Sequence, residues 1–266
     1  MHIVVLIKHV LDPEIPARAF RVDRRRKVPD VPRAAQTMSI FDGNALELAL
    51  KLREQRSGDT KITAVTLGDR LATDVLRKAL ALTADAAVLI SDSALDGLDS
   101  VGKARVLAAA VQKLAPVEIV IAGRQAADWE DGQVGGMLAE VLGWPCLSFV
   151  SQLTISDEAI QARREIDDGY QVYRLAGPTV LTATNSEHNV PRIAKVRDAM
   201  LAARKPITTW TASDLGVSAD ELKDTAVELV DLFVPEPPKR AEMIDGETAA
   251  ERARRLAQRM RELNLI

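Results

Sequence analysis

Aliphatic and β-branched residues gather in short runs at 3–7, 62–67, 86–90 and 117–122, and between successive runs apolar positions recur every three or four residues. The runs predict buried strands and the intervals predict helices, over Phe41 to Arg53, Leu71 to Leu82, Ser100 to Leu114 and Gln133 to Leu142. The first helix gathers Ala45, Leu48, Ala49 and Leu52 on one face, and the third gathers Ala104, Leu107, Ala108 and Val111 behind an Asp99-Ser100 cap. The fourth stops at Gly143, a residue suited to the left-handed position after a helix, with Pro145 barring continuation. Strand and helix in alternation predict an α/β fold with an open, mainly parallel sheet covered on both faces.

After Pro145 the rhythm changes. Leu147 to Ile155, Ile160 to Ile166, Tyr170 to Leu175 and Thr179 to Thr184 are separated by Ser-Asp-Glu, Asp-Asp-Gly and Gly-Pro, which predicts an antiparallel meander of about four strands. The meander reads as an extension of the first domain, residues 1–184. Residues 185–240 read as a recognition loop and an arm wrapped around a partner. They hold a basic helix near Val196 to Arg204 and the Pro-rich Val234-Pro235-Glu236-Pro237-Pro238. A closing helix, Glu247 to Leu263, fills residues 241–266, with Ala249, Ala253, Leu256, Met260 and Leu263 at helical spacing.

Composition narrows the class of protein. Lysine and arginine number 35 against 38 acidic residues, a net charge of −3, so the overall balance suggests neither nucleic-acid nor membrane-surface binding. Met1 to Ile7 is too short an apolar run for a signal sequence, and no run approaches the roughly 18 residues of a membrane span. The single cysteine, Cys146, excludes an internal disulfide framework and fits a reducing, cytoplasmic setting; its apolar neighbours suggest a core position. With 3% aromatic residues, the core must be built from Ala, Leu, Val and Ile.

The chemistry concentrates in Gly123-Arg124-Gln125-Ala126-Ala127-Asp128-Trp129-Glu130-Asp131-Gly132-Gln133-Val134-Gly135-Gly136, between the fourth strand and the fourth helix. In an open parallel sheet, ligands sit at the carboxyl ends of strands near the point where strand order reverses. Gly123 and Gly132 allow sharp turns. Gly135 and Gly136 leave the first amides of the helix open to a phosphate. Such turns also occur for purely structural reasons, and Asp128, Glu130 and Asp131 serve equally as caps of the helix start. His2, His9 and His188 are scattered, no metal-ligand spacing stands out, and no nucleophile-base pairing is evident.

Several blocks share one resemblance: Val4-Val5-Leu6-Ile7-Lys8-His9-Val10, Met38-Ser39-Ile40-Phe41-Asp42-Gly43-Asn44-Ala45-Leu46-Glu47, Gly123 to Asp128 and Gly132 to Gly135. Leu142-Gly143-Trp144-Pro145, Arg164-Glu165-Ile166-Asp167-Asp168-Gly169, Asn189-Val190-Pro191-Arg192 and Asp214-Leu215-Gly216 extend it. In this order, from residue 3 to about 240, the chain resembles the β subunit of electron transfer flavoproteins.

The resemblance implies a Rossmann-like sheet of the adenine nucleotide alpha hydrolase-like kind, in a heterodimer with an α subunit that carries a redox-active FAD. Such a heterodimer is an electron carrier rather than a classical enzyme. It passes electrons from flavin-dependent dehydrogenases, for example of the acyl-CoA dehydrogenase type, to a quinone oxidoreductase or another acceptor. The β subunit is expected to hold a structural AMP, or, in electron-bifurcating members, a second FAD in the same place. By position the nucleotide site comprises Leu6, Ile7, Lys8, Ser39, Ile40, Phe41, Asp42 and Leu67, with Gly123, Arg124, Gln125, Ala126, Asp128 and Asp131, then Gly132, Gln133, Val134, Gly135 and Gly136. A bulky residue at Gly135 is expected to weaken nucleotide retention and heterodimer assembly and to leave the meander folded. Two departures stand out: Ser39-Ile40 replaces a frequent Asn-Pro, and Val134 replaces a Thr whose hydroxyl suits a phosphate.

Partner contacts are implied for Glu165, toward the α subunit, and for Pro191, Arg192 and Val196, toward dehydrogenases. On its residues alone, Val196 reads instead as the first buried position of the following helix, and Glu165 as a solvated hairpin charge. Trp129 suits either stacking on the nucleotide or packing on the α subunit. A different class of function, a stand-alone nucleotide-binding regulator, is opposed by the long irregular stretch 185–240.

Overall fold

The computed structural model describes residues 1–31, 35–56, 58–157, 159–222, 227–235 and 241–266. Glu158 of the Ser-Asp-Glu turn and Glu236, Pro237 and Pro238 of the Pro-rich stretch lie outside the described residues. Residues 1–20 with 31–230 form one compact unit, and residues 21–30 with 231–266 form a second.

The first unit is built on a sheet of β1 (His2–Leu6), β2 (Lys61–Leu67), β3 (Ala86–Ile90), β4 (Ile119–Gly123), β5 (Cys146–Ser156), β6 (Ala159–Ile166), β7 (Gly169–Arg174), β8 (Thr179–Ala183) and β9 (Thr208–Trp210). Their spatial order is β7-β6-β5-β8-β4-β1-β2-β3-β9. Pairing is parallel from β5 through β9 and antiparallel only for β5 with β6 and β6 with β7. From β1 the chain builds outward through β2 and β3, then crosses to β4 on the other side of β1. The order therefore reverses between β1 and β4, and a crevice opens beyond their carboxyl ends.

Two apolar layers follow from the period-two alternation of the strands. Ile3, Val5, Ile62, Ile119 and Ile121 face α1 (Ile40–Gln55) and α2 (Thr73–Ala81). Val4, Leu6, Val65, Val88 and Val120 face α3 (Ser100–Lys113) and α4 (Val134–Leu142). Local chemistry sets the helix ends. Asp99 caps α3 by accepting from the Gly102 amide at 2.9 Å, and Gly143 closes α4 at φ 66°. The second helix starts later than its periodicity suggests, because Asp69 caps a 3₁₀ turn over Arg70–Ala72 first.

The fourth strand of the expected meander does not continue it. Thr179–Ala183 is buried along its whole length, whereas Gly169–Arg174 is exposed along its whole length. A strand that buries both faces needs helices above and below. It gains them by inserting between β4 and β5, parallel to both, where Leu181 and Ala183 join the α1 layer and Val180 joins the α4 layer. Only β5, β6 and β7 form the antiparallel extension.

Cys146, expected in the core, is exposed at the first position of β5, although it pairs there with the buried Val180 of β8. The stretch after Asn185 contributes more regular structure than its composition suggests. α5 (Val196–Ala202) is held against α2 by Arg77, which donates to the Ala202 carbonyl at 2.8 Å, and Thr208–Trp210 adds β9 beside β3. In the second unit, Val22–Asp23 pairs antiparallel with Val28–Pro29, and α6 (Ala249–Glu262) is capped by Thr248, whose hydroxyl accepts from the Glu251 amide at 3.2 Å. No helix among the described residues is long and apolar enough to cross a membrane.

Gly135 has a structural reason that the phosphate argument misses. A Cβ there would stand 2.5 Å from Thr182 Cγ2 on β8, far inside van der Waals contact. The expectation that a bulky residue at Gly135 spares the sheet is therefore revised, because Thr182 lies in a central strand. Gly135→Ala is expected to destabilise the chain by about 1–3 kcal/mol. Adding Thr182→Ser, which removes the clashing methyl and keeps the hydroxyl that accepts from the Phe149 amide, should restore most of the loss in urea unfolding. An uncoupled double mutant would contradict this packing assignment.

Candidate functional site

At the reversal of strand order, Asp42 in the first turn of α1 ties three elements together. Its Oδ2 accepts from the Lys8 amide at 2.7 Å and its Oδ1 from the Gly123 amide at 3.0 Å, so one carboxylate satisfies the ends of β1 and β4. Gly123 is required by this approach. A Cβ would fall 2.5 Å from Asp42 Oδ1 and 2.8 Å from Phe41 Cβ, while its φ is not in the left-handed region. The sharp turning falls instead on Glu130 (φ 55°) and Gly132 (φ 65°). Asp42 is buried, and desolvation pushes its carboxyl up to about 7 against the opposing pull of the two amides and of Lys8.

The crevice holds a cavity of about 150 Å³. Leu6, Ile7 and Lys8 reach it from the end of β1, Val65 and Leu67 from β2, Asp42 from α1, and Ala122 and Gly123 from β4. The loop that follows contributes Arg124, Gln125, Ala126, Trp129, Asp131, Gly132 and Gln133, leading into Val134 and Gly135 of α4. Ser100, Lys103 and Leu107 complete the wall from α3.

The remaining expected residues stand beside the cavity. Ser39 is buried and its hydroxyl accepts from the Ala127 amide at 3.2 Å, holding the loop. Ile40 is exposed. Phe41 lies near the Arg124 guanidinium, 4.5 Å from ring centre to Cζ, and the Phe149 ring centre is 5.8 Å from the same Cζ. Asp128 pairs with Lys8 at 2.7 Å and accepts from the Trp129 amide at 2.9 Å. Gly136 is exposed, with open space around it. Gln133 provides no side-chain cap for α4, so the first amides of that helix face the crevice uncapped.

Val65, Ala122, Ser100, Lys103 and Leu107 line the cavity but were not named as site residues from sequence, where Ser100 and Leu107 read as the cap and the core face of the third helix. Ser100, Lys103 and Leu107 share one helical stripe at i, i+3 and i+7, which meets the core face of α3 at Leu107, and a lysine on that stripe was the available signal. Burial holds the Lys103 ammonium below its ordinary pKa, helped by nearby Lys8 and opposed by Asp131, Asp128 and Asp99.

A second cluster forms where residues 186–192 meet α1. Asn44, Glu47, Lys51 and Glu54 lie on one stripe of that helix. Asn44 donates to the Asn189 carbonyl at 2.9 Å, Lys51 to the His188 carbonyl at 2.7 Å, and Asn189, fully buried, donates to the Thr184 carbonyl at 2.7 Å. Arg192 forks onto Glu47, at 2.8 and 2.9 Å, and onto Glu54, at 2.5 Å. Its guanidinium is engaged within this chain, and the two carboxylates hold its pKa well above the usual arginine range. Pro191 packs 3.3 Å from the position a Gly43 Cβ would take. Beyond the clamp the surface turns apolar, with Val190, Ile193, Val196, Met200 and Leu201 all exposed; Val196 is 79% exposed and so is not the first buried residue of its helix. Glu165 is half-buried on β6, accepting from Arg163 Nε at 3.0 Å and from the Ser151 hydroxyl, while Arg163 lies over Tyr170.

A family model described as "Electron transfer flavoprotein domain" matches residues 32–215. An electron transfer flavoprotein subunit beta of Thermoanaerobacterium thermosaccharolyticum is 33% identical over 269 residues, all of both chains. The chain belongs to the electron transfer flavoprotein β-subunit family. It is also similar to the caffeyl-CoA reductase-Etf complex subunit CarD of Acetobacterium woodii, 36% identical over 85% of this chain and 86% of that protein. Protein FixA of Azorhizobium caulinodans is 34% identical over 94% of this chain and 90% of its own length. Family membership assigns the chain to electron transfer.

Two predictions follow from these clusters. Glu47 has a side chain only 3% exposed. Arg192→Met should therefore cost roughly 2–4 kcal/mol by stranding a buried charge, and adding Glu47→Gln should recover much of that in thermal unfolding. A loss below about 0.5 kcal/mol, as for a free surface charge, would contradict the clamp. For Asp42, the folded chain keeps a proton between its ordinary 3.8 and about 7 that the unfolded chain has released. Its contribution to stability is thus full below about 4 and is lost as pH rises through about 7, on the order of 4 kcal/mol across the window. The difference between wild-type and Asp42→Asn stability profiles should follow that slope, and parallel profiles would show that Asp42 does not titrate there.

Proposed function

We propose that this chain is the β subunit of a heterodimeric, cytoplasmic electron transfer flavoprotein, and that the crevice between β1 and β4 holds a structural AMP. The observation that carries this reading is the composition of the cavity. Leu6, Val65, Leu67, Leu107 and Ala122 offer an apolar wall for a base, while the uncapped start of α4 and two lysines offer partners for a phosphate. The AMP lies apart from electron flow and stabilises the fold. The α subunit's FAD supplies the redox chemistry, taking electrons from a flavin-dependent dehydrogenase and passing them to a quinone oxidoreductase or another acceptor.

This chain's own residues then bind and orient. Asp42 ties the ends of β1 and β4 beneath the nucleotide, and Ser39 holds the loop that faces it. The apolar patch of Val190, Ile193, Val196, Met200 and Leu201, flanked by Arg197 and Arg204, suits a partner with an apolar groove and an acidic rim. Pro191 and Arg192 serve that surface by fixing the segment that presents it. Glu165 and the exposed Tyr170, Val172 and Tyr173 of the antiparallel extension suit the α-subunit interface. In a second reading the cavity takes the ADP half of another FAD, in an electron-bifurcating heterodimer. It is favoured by Gln133-Val134-Gly135, which in part resembles the stretch that electron-bifurcating members carry at this turn.

The test is to purify the chain with its α subunit, denature the complex and quantify released nucleotides by chromatography. One AMP and one FAD per heterodimer are expected. Two FAD without AMP would establish the second reading, and a single FAD with no second nucleotide would overturn the assignment of the cavity.

A further inference from the structure

The two lysines of the cavity differ in what surrounds them. Lys8 is neutralised by Asp128 at 2.7 Å. Lys103, half-buried one turn into α3, lines the same cavity, and among the described residues its ammonium has no hydrogen-bond acceptor and no carboxylate within ion-pairing distance. Its neighbours along the helix stripe are Ser100 and Leu107, and the apolar Val65 and Leu67 share the wall. Asp131, Asp128 and Asp99 act on it only through space, and burial already works against its charge. A cation kept on a partly dry wall without a partner is costly, and that cost is relieved by an anion entering the cavity.

We infer that Lys103 is the residue by which this site recognises the phosphate of its ligand, distinguishing a phosphorylated adenine nucleotide from the corresponding nucleoside. The inference rests on the adenine-nucleotide reading of the cavity and adds to it the group that reads the charge. Val134, with no hydroxyl at the start of α4, leaves the phosphate in need of another donor, and Lys103 supplies an ammonium from the opposite element. The apolar wall then holds the base whether or not the phosphate is present. Loss of Lys103 therefore lowers affinity for AMP without lowering affinity for adenosine.

The experiment uses the intact heterodimer, freed of bound nucleotide and titrated with AMP and with adenosine. Calorimetry gives the affinities, and Trp129, which lines the cavity, offers a fluorescence signal. Wild type should prefer AMP by about tenfold or more, the scale of a charge-assisted hydrogen bond. Lys103→Met should bind adenosine as wild type does and lose the preference, and Lys103→Arg should keep it. Adenosine binding reports that the Met variant is folded. If Lys103→Met keeps the full preference, or if wild type binds AMP and adenosine alike, the role of Lys103 is overturned and the adenine site stands. If wild type binds neither compound, both fall.

Discussion

The carboxylate of Asp42 is the point on which the functional end of this molecule depends. A parallel sheet leaves its last backbone amides unpaired where order reverses, because no neighbouring strand continues alongside. Here one buried side chain accepts from the amides that end β1 and β4, and it does so from the first turn of α1. The crevice is thereby given a floor. The arrangement requires that α1 begin almost in contact with β4, and so requires glycine at 123. Desolvation makes the carboxylate expensive, while two amides and nearby Lys8 offset that cost.

Close packing repeats on the other side of the cavity. Gly135 lets α4 settle onto Thr182, which sets the helix start against β8. Gly135, whose place at the helix start suits a phosphate, thus acts first on the separation of helix and strand. A site built this way is preorganised by its scaffold. Its loop, from Arg124 to Gln133, is held at separate points by Ser39, by the Lys8–Asp128 pair and by the contacts of Arg124 with the rings of Phe41 and Phe149.

Much of this was legible in the residues. Periodicity identified four strands and four helices to within a few positions, and the principle that ligands sit at a reversal of strand order located the crevice before any coordinates. What escaped was non-local. Thr179–Ala183 follows three antiparallel strands and reads as their continuation, and only the need to bury both of its faces sends it between β4 and β5. Thr208–Trp210 is too short to signal a strand alone and depends on β3 for its pairing. Lys103 and Ser100 belong to a helix whose pattern speaks of core, so their place on the cavity wall appears only when β2 and α3 are brought together. Arg192 reads as a surface charge until Glu47 and Glu54, about 140 positions earlier, are found beneath it.

One helix joins the two functional regions. At its first turn α1 carries Asp42, which organises the crevice, and along one stripe it carries Asn44, Glu47, Lys51 and Glu54, which hold residues 188–192. Those residues lead directly into the exposed apolar patch around Val196. A rigid helix of 16 residues fixes the distance between crevice and patch without any side chain spanning it. The core face of the same helix is occupied by Ala45, Leu48, Ala49 and Leu52, all essentially inaccessible to solvent. Displacing either end of α1 would therefore disturb the packed layer between the helix and the sheet. That shared core is the physical reason a nucleotide in the crevice, as proposed, would matter to the apolar surface around Val196: by holding the crevice, it would steady the helix from which residues 188–192 hang.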